Sequence, residues 1–164
     1  FASACKNEKS LQSYLVEAND KAGFSSIDVP VSSVLSPKAD VSDDVKETIK
    51  SIKKINVVFL KKTQENETVY ETEKATLKNL FKDNKDYKTL SSMKMKGMNV
   101  NLYYSGETDS IDEIVAFGYS QDVGVGVARL LGENMNPAKI MEVINDIKMD
   151  SSNLQGFSAI FKGK

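Results

Sequence analysis

The sequence predicts an α+β fold: a two-layer sandwich whose antiparallel-rich sheet ends in a four-stranded C-terminal meander and carries helices mainly on one face. Three observations predict it. Apolar residues recur at helical spacing in three segments of the first half and once more near the end. "KINVVFLK" is almost continuously apolar and rich in β-branched residues, as a strand buried on both faces must be. From Tyr87 onward the apolar period falls from 3.6 to 2, with short turns between the alternating runs.

The first helix is expected in "SLQSYLVEANDKAG", where Leu11, Tyr14, Leu15 and Ala18 share one stripe and Gly23 marks the stop. "FSSIDVPV" reads as a short strand, which Pro30 confines to a strand end or a sheet edge. "SSVLSPKAD" reads as a loop. In "SDDVKETIKSI", Ser42 is placed to cap a helix whose positive end Asp43 and Asp44 suit, with Val45, Ile49 and Ile52 facing inward. The polar "KKTQENET" separates the central strand from a third helix, "VYETEKATLKNLFKDN", with Tyr70, Leu77, Leu80 and Phe81 on its core side.

The period-2 region holds four strands. "YKTLSSMKMK" turns near Gly97 into "MNVNLYYS", where Met98, Val100, Leu102 and Tyr104 alternate with Asn99, Asn101 and Tyr103. After the turn "GETDS", "IDEIVAFGYS" sets Ile111, Val115, Phe117 and Tyr119 on one face, and "VGVGVARLL" alternates again. "NPAKIMEVINDIK" is a last helix, with Asn136 as its cap and Pro137 in the first turn, where a missing N–H costs nothing. The polar tail regains apolar residues only at "FSAIF", which is read either as a returning strand or as a loose end. Residues 1–9 read as a leader remnant and tether, 10–150 as one domain and 151–164 as a tail.

Composition narrows the function classes. At 164 residues with 40% hydrophobic and 27% charged residues, the chain is in the globular range. Its net charge of -1 argues against a dedicated nucleic-acid binder, and none is expected as a partner. All the basic residues but Arg129 are lysines, which read as solubilising surface more than as bidentate anion recognition. The chain has no histidine, which removes Ser-His-Asp and Cys-His catalysis, histidine-ligated zinc and the usual general base near neutral pH. No enzyme activity, catalytic residue or cofactor is expected.

Several motifs suggest ligand chemistry, and each has a plainer reading. The glycines of "GVGVARLLG" alternate with Val123, Val125 and Val127, so they lie inside a strand and not in the strand-to-helix turn of a dinucleotide site. Met93, Met95 and Met98 of "MKMKGM" carry thioethers suited to Cu(I). With Lys94 and Lys96 between them and no histidine or cysteine beside them, core packing is expected, and a Cu(I) or small-ligand carrier is the alternative. Glu107, Asp109, Asp112 and Glu113 do not have EF-hand spacing and read as a charged turn. Carboxylate-based hydrolysis of the cell wall is the remotest reading of them. Lys53, Lys54, Lys61 and Lys62 bracket the central strand and read as solvated strand ends, though they would also suit anionic headgroups.

The start of the chain carries the clearest address. Ala2, Ser3 and Ala4 are small, as a signal peptidase pocket requires, and the only cysteine, Cys5, follows them. This is similar to the processing site of bacterial lipoproteins, where the cysteine takes a diacylglycerol and then an acyl chain on its new amine. Their usual leucine, three before the cysteine, is Ala2 here. Lipidation of Cys5 is expected, with "KNEKS" as the tether; two or more acyl chains make a stable membrane anchor.

Further along, "FSSIDVP", "DDVKETIKSIKKINVVFLK" and "VNLYYSGETDSIDEIVAFGYSQDVGVGVARLLGE" precede a helix that opens "NPAKIMEVI". From Phe24 to Ile147 this order resembles an uncharacterised family of small Bacteroidota lipoproteins with a DUF4252-like domain. The family's Asp-Leu step into the last helix is replaced by Met135, Asn136 and Pro137. The resemblance implies an envelope lipoprotein and assigns no activity. Asp109, Ser110 and Ile111 are also similar to the acidic-hydroxyl-aliphatic sequon for O-glycosylation in such envelopes. The expectation is therefore a lipid-anchored envelope domain, in the outer membrane, that binds an envelope protein. Binding would use an edge strand or a tyrosine patch such as Tyr103, which alternation places opposite the core.

Overall fold

The computed structural model describes residues 10–29, 42–95, 97–107 and 110–142. Ser10 opens helix α1 (Leu11–Asn19), its hydroxyl accepting the Ser13 N–H at 3.1 Å. Strand β1 (Phe24–Val29), helix α2 (Asp43–Ser51), strand β2 (Ile52–Lys61) and helix α3 (Glu67–Phe81) follow. Four strands come next: β3 (Lys88–Met95), β4 (Met98–Glu107), β5 (Ser110–Ser120) and β6 (Gly124–Met135). A last helix begins at 137, and Asn136 caps it by accepting the Ala138 and Lys139 N–H groups. The loop at 32–40 and the tail lie outside the described residues.

All six strands form one antiparallel sheet in the order β1-β2-β6-β5-β4-β3. This is the α+β class that the periodicities predict. β2 lies between β1 and β6, and Ile55, Val57, Val58, Phe59 and Leu60 are all buried, as its unbroken apolar run requires.

The arrangement of helices differs from the expected one-sided layer. Helices α1 and α3 pack on one face with Val58, Leu60, Val115, Phe117, Val125 and Val127. On the opposite face, Ile49 of α2 and Ile140 of the last helix pack with Ile55, Val57, Ile111, Ile114 and Met135. The physical reason is in the central strands: β2, β5 and β6 carry apolar residues on both faces, and each face must be covered. A register shift between Ile111 and Glu113 also moves Ile111 away from Val115, Phe117 and Tyr119 and into the second cluster.

The glycines of β6 lie within the strand, as expected. A Cβ on Gly124 would meet the Leu60 carbonyl oxygen at 2.1 Å and the Phe59 ring at 2.9 Å; one on Gly126 would meet the same ring at 2.7 Å. Phe59 thus lies across a surface that only glycine leaves low enough. These residues serve packing, not a phosphate.

Candidate functional site

The face under α1 and α3, the more fully helix-covered face, contains two polar networks. In the first, α3 turns Glu73 inward among Tyr70, Leu77 and Leu80, leaving it 5% exposed. The Tyr14 hydroxyl of α1 donates to it at 2.8 Å, and the Lys21 ammonium pairs with its other oxygen at 2.8 Å. Burial, followed by the bond to Glu73, pushes the Tyr14 phenol well above its ordinary range, so it remains a donor.

The second network lies where β5 and β6 run side by side. Glu113 accepts from the Arg129 guanidinium and, at 2.9 Å, from the Tyr87 hydroxyl, while Arg129 also donates to Gln12 of α1. Glu113 is 8% exposed. Burial raises the Tyr87 phenol, and the neighbouring Glu113 carboxylate raises it further. In both networks a carboxylate is bound by a phenol and a cation. The first network ties α1 to α3, and the second ties β5 to β6, to Tyr87 and, through Gln12, to α1.

This revises the expected charged turn at "GETDSIDE". Glu107 and Asp112 are exposed, whereas Glu113 is buried against Arg129; Asp109 lies outside the described residues. The four carboxylates are therefore not a uniform solvated cluster. Ser110 of the sequon donates from its hydroxyl to Asn134 at 2.7 Å, and Ile111 is fully buried.

Tyr103 is corrected as well. It stands on the helix-covered face, stacked on Phe81 with ring centroids 4.3 Å apart, and is not opposite the core. Burial raises its phenol pKa. Met95 pairs with Met98 along the backbone and Met93 with Val100, which places Met93 and Met98 on one face. The Met98 methyl lies 3.2 Å from where a Cβ on Gly118 would stand, which is close packing. Cys5 and Lys96 lie outside the described residues. Lys53, Lys54 and Lys61 are exposed at the ends of β2, and Lys54 lies 3.8 Å from Asp28.

Two further polar places exist. A cleft of about 260 Å³ is lined by Asp44, Glu47, Thr48, Ser51, Asn134, Asn136 and Lys139, and Lys139 pairs with Asp44 at 3.2 Å. The buried Tyr70 hydroxyl has no partner among the described residues; the Lys74 ammonium lies 5.1 Å from its ring centre. Among the described residues no three His, Cys, Asp or Glu side chains converge as metal ligands, and no helix is long and apolar enough to cross a membrane.

Among the described residues the outer part of the sheet, β4 and β3, is only partly covered. On the helix-covered face, rows of paired residues run from apolar to polar. Val58, Val127 and Phe117 lead to Asn101 and Ser92; Leu60, Val125 and Tyr119 lead to Asn99 and Lys94. Ser92 and Lys94 are exposed, and Ser92 donates to Asn101 at 2.8 Å. On the other face Met93 is half-buried beside Val100. Among the described residues β3 ends the sheet and pairs only with β4, so no described strand takes up its outward backbone groups. Sequence reasoning placed "FSSIDVPV" at a strand end or a sheet edge, and β1 is the other edge of this sheet; it did not identify β3, for which the serines and lysines of "KTLSSMKM" were the available signal.

Comparison with known proteins finds no curated protein and no solved structure that matches. A family model described as domain of unknown function (DUF4252) matches residues 14–143. That span holds every described strand and most of the described helices, and the chain belongs to the DUF4252 family.

Proposed function

We propose that this protein is a lipid-anchored cell-envelope component of the outer membrane, of the Bacteroidota type, and that it acts as a non-catalytic interaction domain. The observation that carries the binding part is the contrast between a closed interior and an open edge. Both buried carboxylates, Glu73 and Glu113, are tied to phenols and cations, while β3 ends the sheet with a polar, lysine-bearing strand. The anchoring part rests on the sequence "ASAC" and its single cysteine. Acyl chains on Cys5 would hold the domain at a membrane surface while leaving the sheet edge in water.

The anchor is tested by intact mass of the protein made in its native host from the full gene, with detergent phase partition alongside. The expected mass is that of Cys5 to Lys164 plus a diacylglycerol and one fatty acyl chain, in the detergent phase. An unmodified Cys5 in the aqueous phase would remove the anchor and leave the interaction domain to be judged on its own.

A further inference from the structure

We propose that the β3 edge takes an extended segment of another protein whose residues alternate acidic and apolar, added as a seventh strand. This rests on the interaction-domain reading above and specifies its partner. Strand addition supplies affinity through backbone hydrogen bonds, and the side chains on either face set specificity.

Consecutive residues of an added strand point to opposite faces, next to the corresponding residues of β3. On the helix-covered face these neighbours are Ser92 and Lys94, continued inward by Asn101 and Asn99. No acidic residue occurs in β3, and Lys94 makes no ion pair among the described residues. An acidic side chain fits there. On the other face the neighbour between Ser92 and Lys94 is Met93, backed by Val100 and by Met98 over Gly118. An apolar side chain fits there.

Beyond the register shift at Thr89 and Ser91, Lys88 pairs with Tyr104 and holds its ammonium 5.9 Å from that ring centre, on the face opposite Lys94, so Lys94 alone faces the acidic row. Lysines on an edge also disfavour pairing with an identical edge, so an acidic strand is preferred to a second copy of β3.

The test uses the full chain and a labelled synthetic strand of alternating Glu and Val, the length of β3, with binding read by fluorescence anisotropy at low salt. The controls are a Lys and Val counterpart and a Glu and Val strand N-methylated at alternate backbone positions. One exposed charge pair, Lys94 with an acidic side chain, gives an expected preference for the acidic strand of about threefold. That preference should reverse in a Lys94→Glu variant, and N-methylation should abolish binding. The comparison of strands on the unaltered protein stands even if the variant fails to fold.

Equal binding of acidic and basic strands would overturn the inferred partner while leaving the edge as a docking site. Binding of neither strand would overturn both the inference and the edge as the basis of the proposed function. Self-association of the unaltered chain that the variant abolishes would make the occupant a second copy and overturn the acidic partner.

Discussion

Strands β2 and β3 belong to the same sheet and are treated in opposite ways. β2 has a strand on each side and apolar residues on both faces, with Val58 and Leu60 under α1 and α3 and Ile55 and Val57 toward α2 and the last helix. β3 has one neighbour among the described residues, two lysines, two serines and a break in its register. The difference shows how the molecule divides its work. Buried apolar packing is concentrated where β2, β6 and β5 are covered on both faces, which predicts that stability lies there and less in the outer strands.

The sharpest way to break this division is at the covered centre. Phe117 is fully buried and touches the Phe81 and Tyr119 rings. Phe117→Ala is expected to cost about 3–5 kcal/mol in urea unfolding, through lost contacts and the cavity left behind. A cost below 1 kcal/mol would mean that the centre is not where stability lies.

Next in size is the ion pair that joins β5 and β6. Glu113→Ala leaves the Arg129 guanidinium, 18% exposed, and the Tyr87 hydroxyl without their acceptor. A loss of about 3 kcal/mol is expected, because an unpaired buried charge costs more than its pairing contributes. Arg129→Ala/Glu113→Ala should recover part of that loss. If the double variant lost the full sum of the two single losses, the two residues would not act as a pair.

A smaller effect depends on pH. Tyr14 and Tyr87 keep their phenolic protons in the folded protein above the ordinary value of 10.0, whereas unfolding returns them to it. Their contribution is therefore full below pH 10 and is lost as the pH rises past it. Stability should fall by at most about 1.4 kcal/mol per pH unit for each phenol. Tyr14→Phe and Tyr87→Phe should each flatten that alkaline slope. An unchanged slope would detach these phenols from the folded state's proton balance.

The smallest effect on stability belongs to the edge. Lys94→Glu should shift unfolding by no more than about 0.5 kcal/mol, as an exposed substitution without a partner should. A larger loss would mean that the β3 edge is part of the supporting structure.

Much of the covered centre was legible in the sequence, because burial leaves a periodic trace. "KINVVFLK" is apolar on every side and became β2; the stripe of Tyr70, Leu77, Leu80 and Phe81 became the inner side of α3. The two-sided covering was written in "EIVAF" and "ARLL", where apolar residues stand consecutively, but period-2 counting favours one face and hides the other. Glu113 and Glu73 were not legible. Each looks like an ordinary surface acid, and its partners lie 16 or more residues away in the chain. Arg129 offered a clue: it continues the inward alternation of Val125 and Val127, so a charge on that face needed a buried partner. The open edge left little trace, because strand order is set by long-range pairing and not by local pattern.

Residue-resolved hydrogen exchange of the full chain, alone and with the Glu and Val strand, tests the division between centre and edge most directly. Alone, amides of β2 and β6 should exchange only through global unfolding, and the outward amides of β3 far faster. Adding the strand should slow exchange in β3 and leave β2 unchanged. Amides of β3 as protected as those of β2 before any strand is added would contradict the account, because the edge would then already be covered.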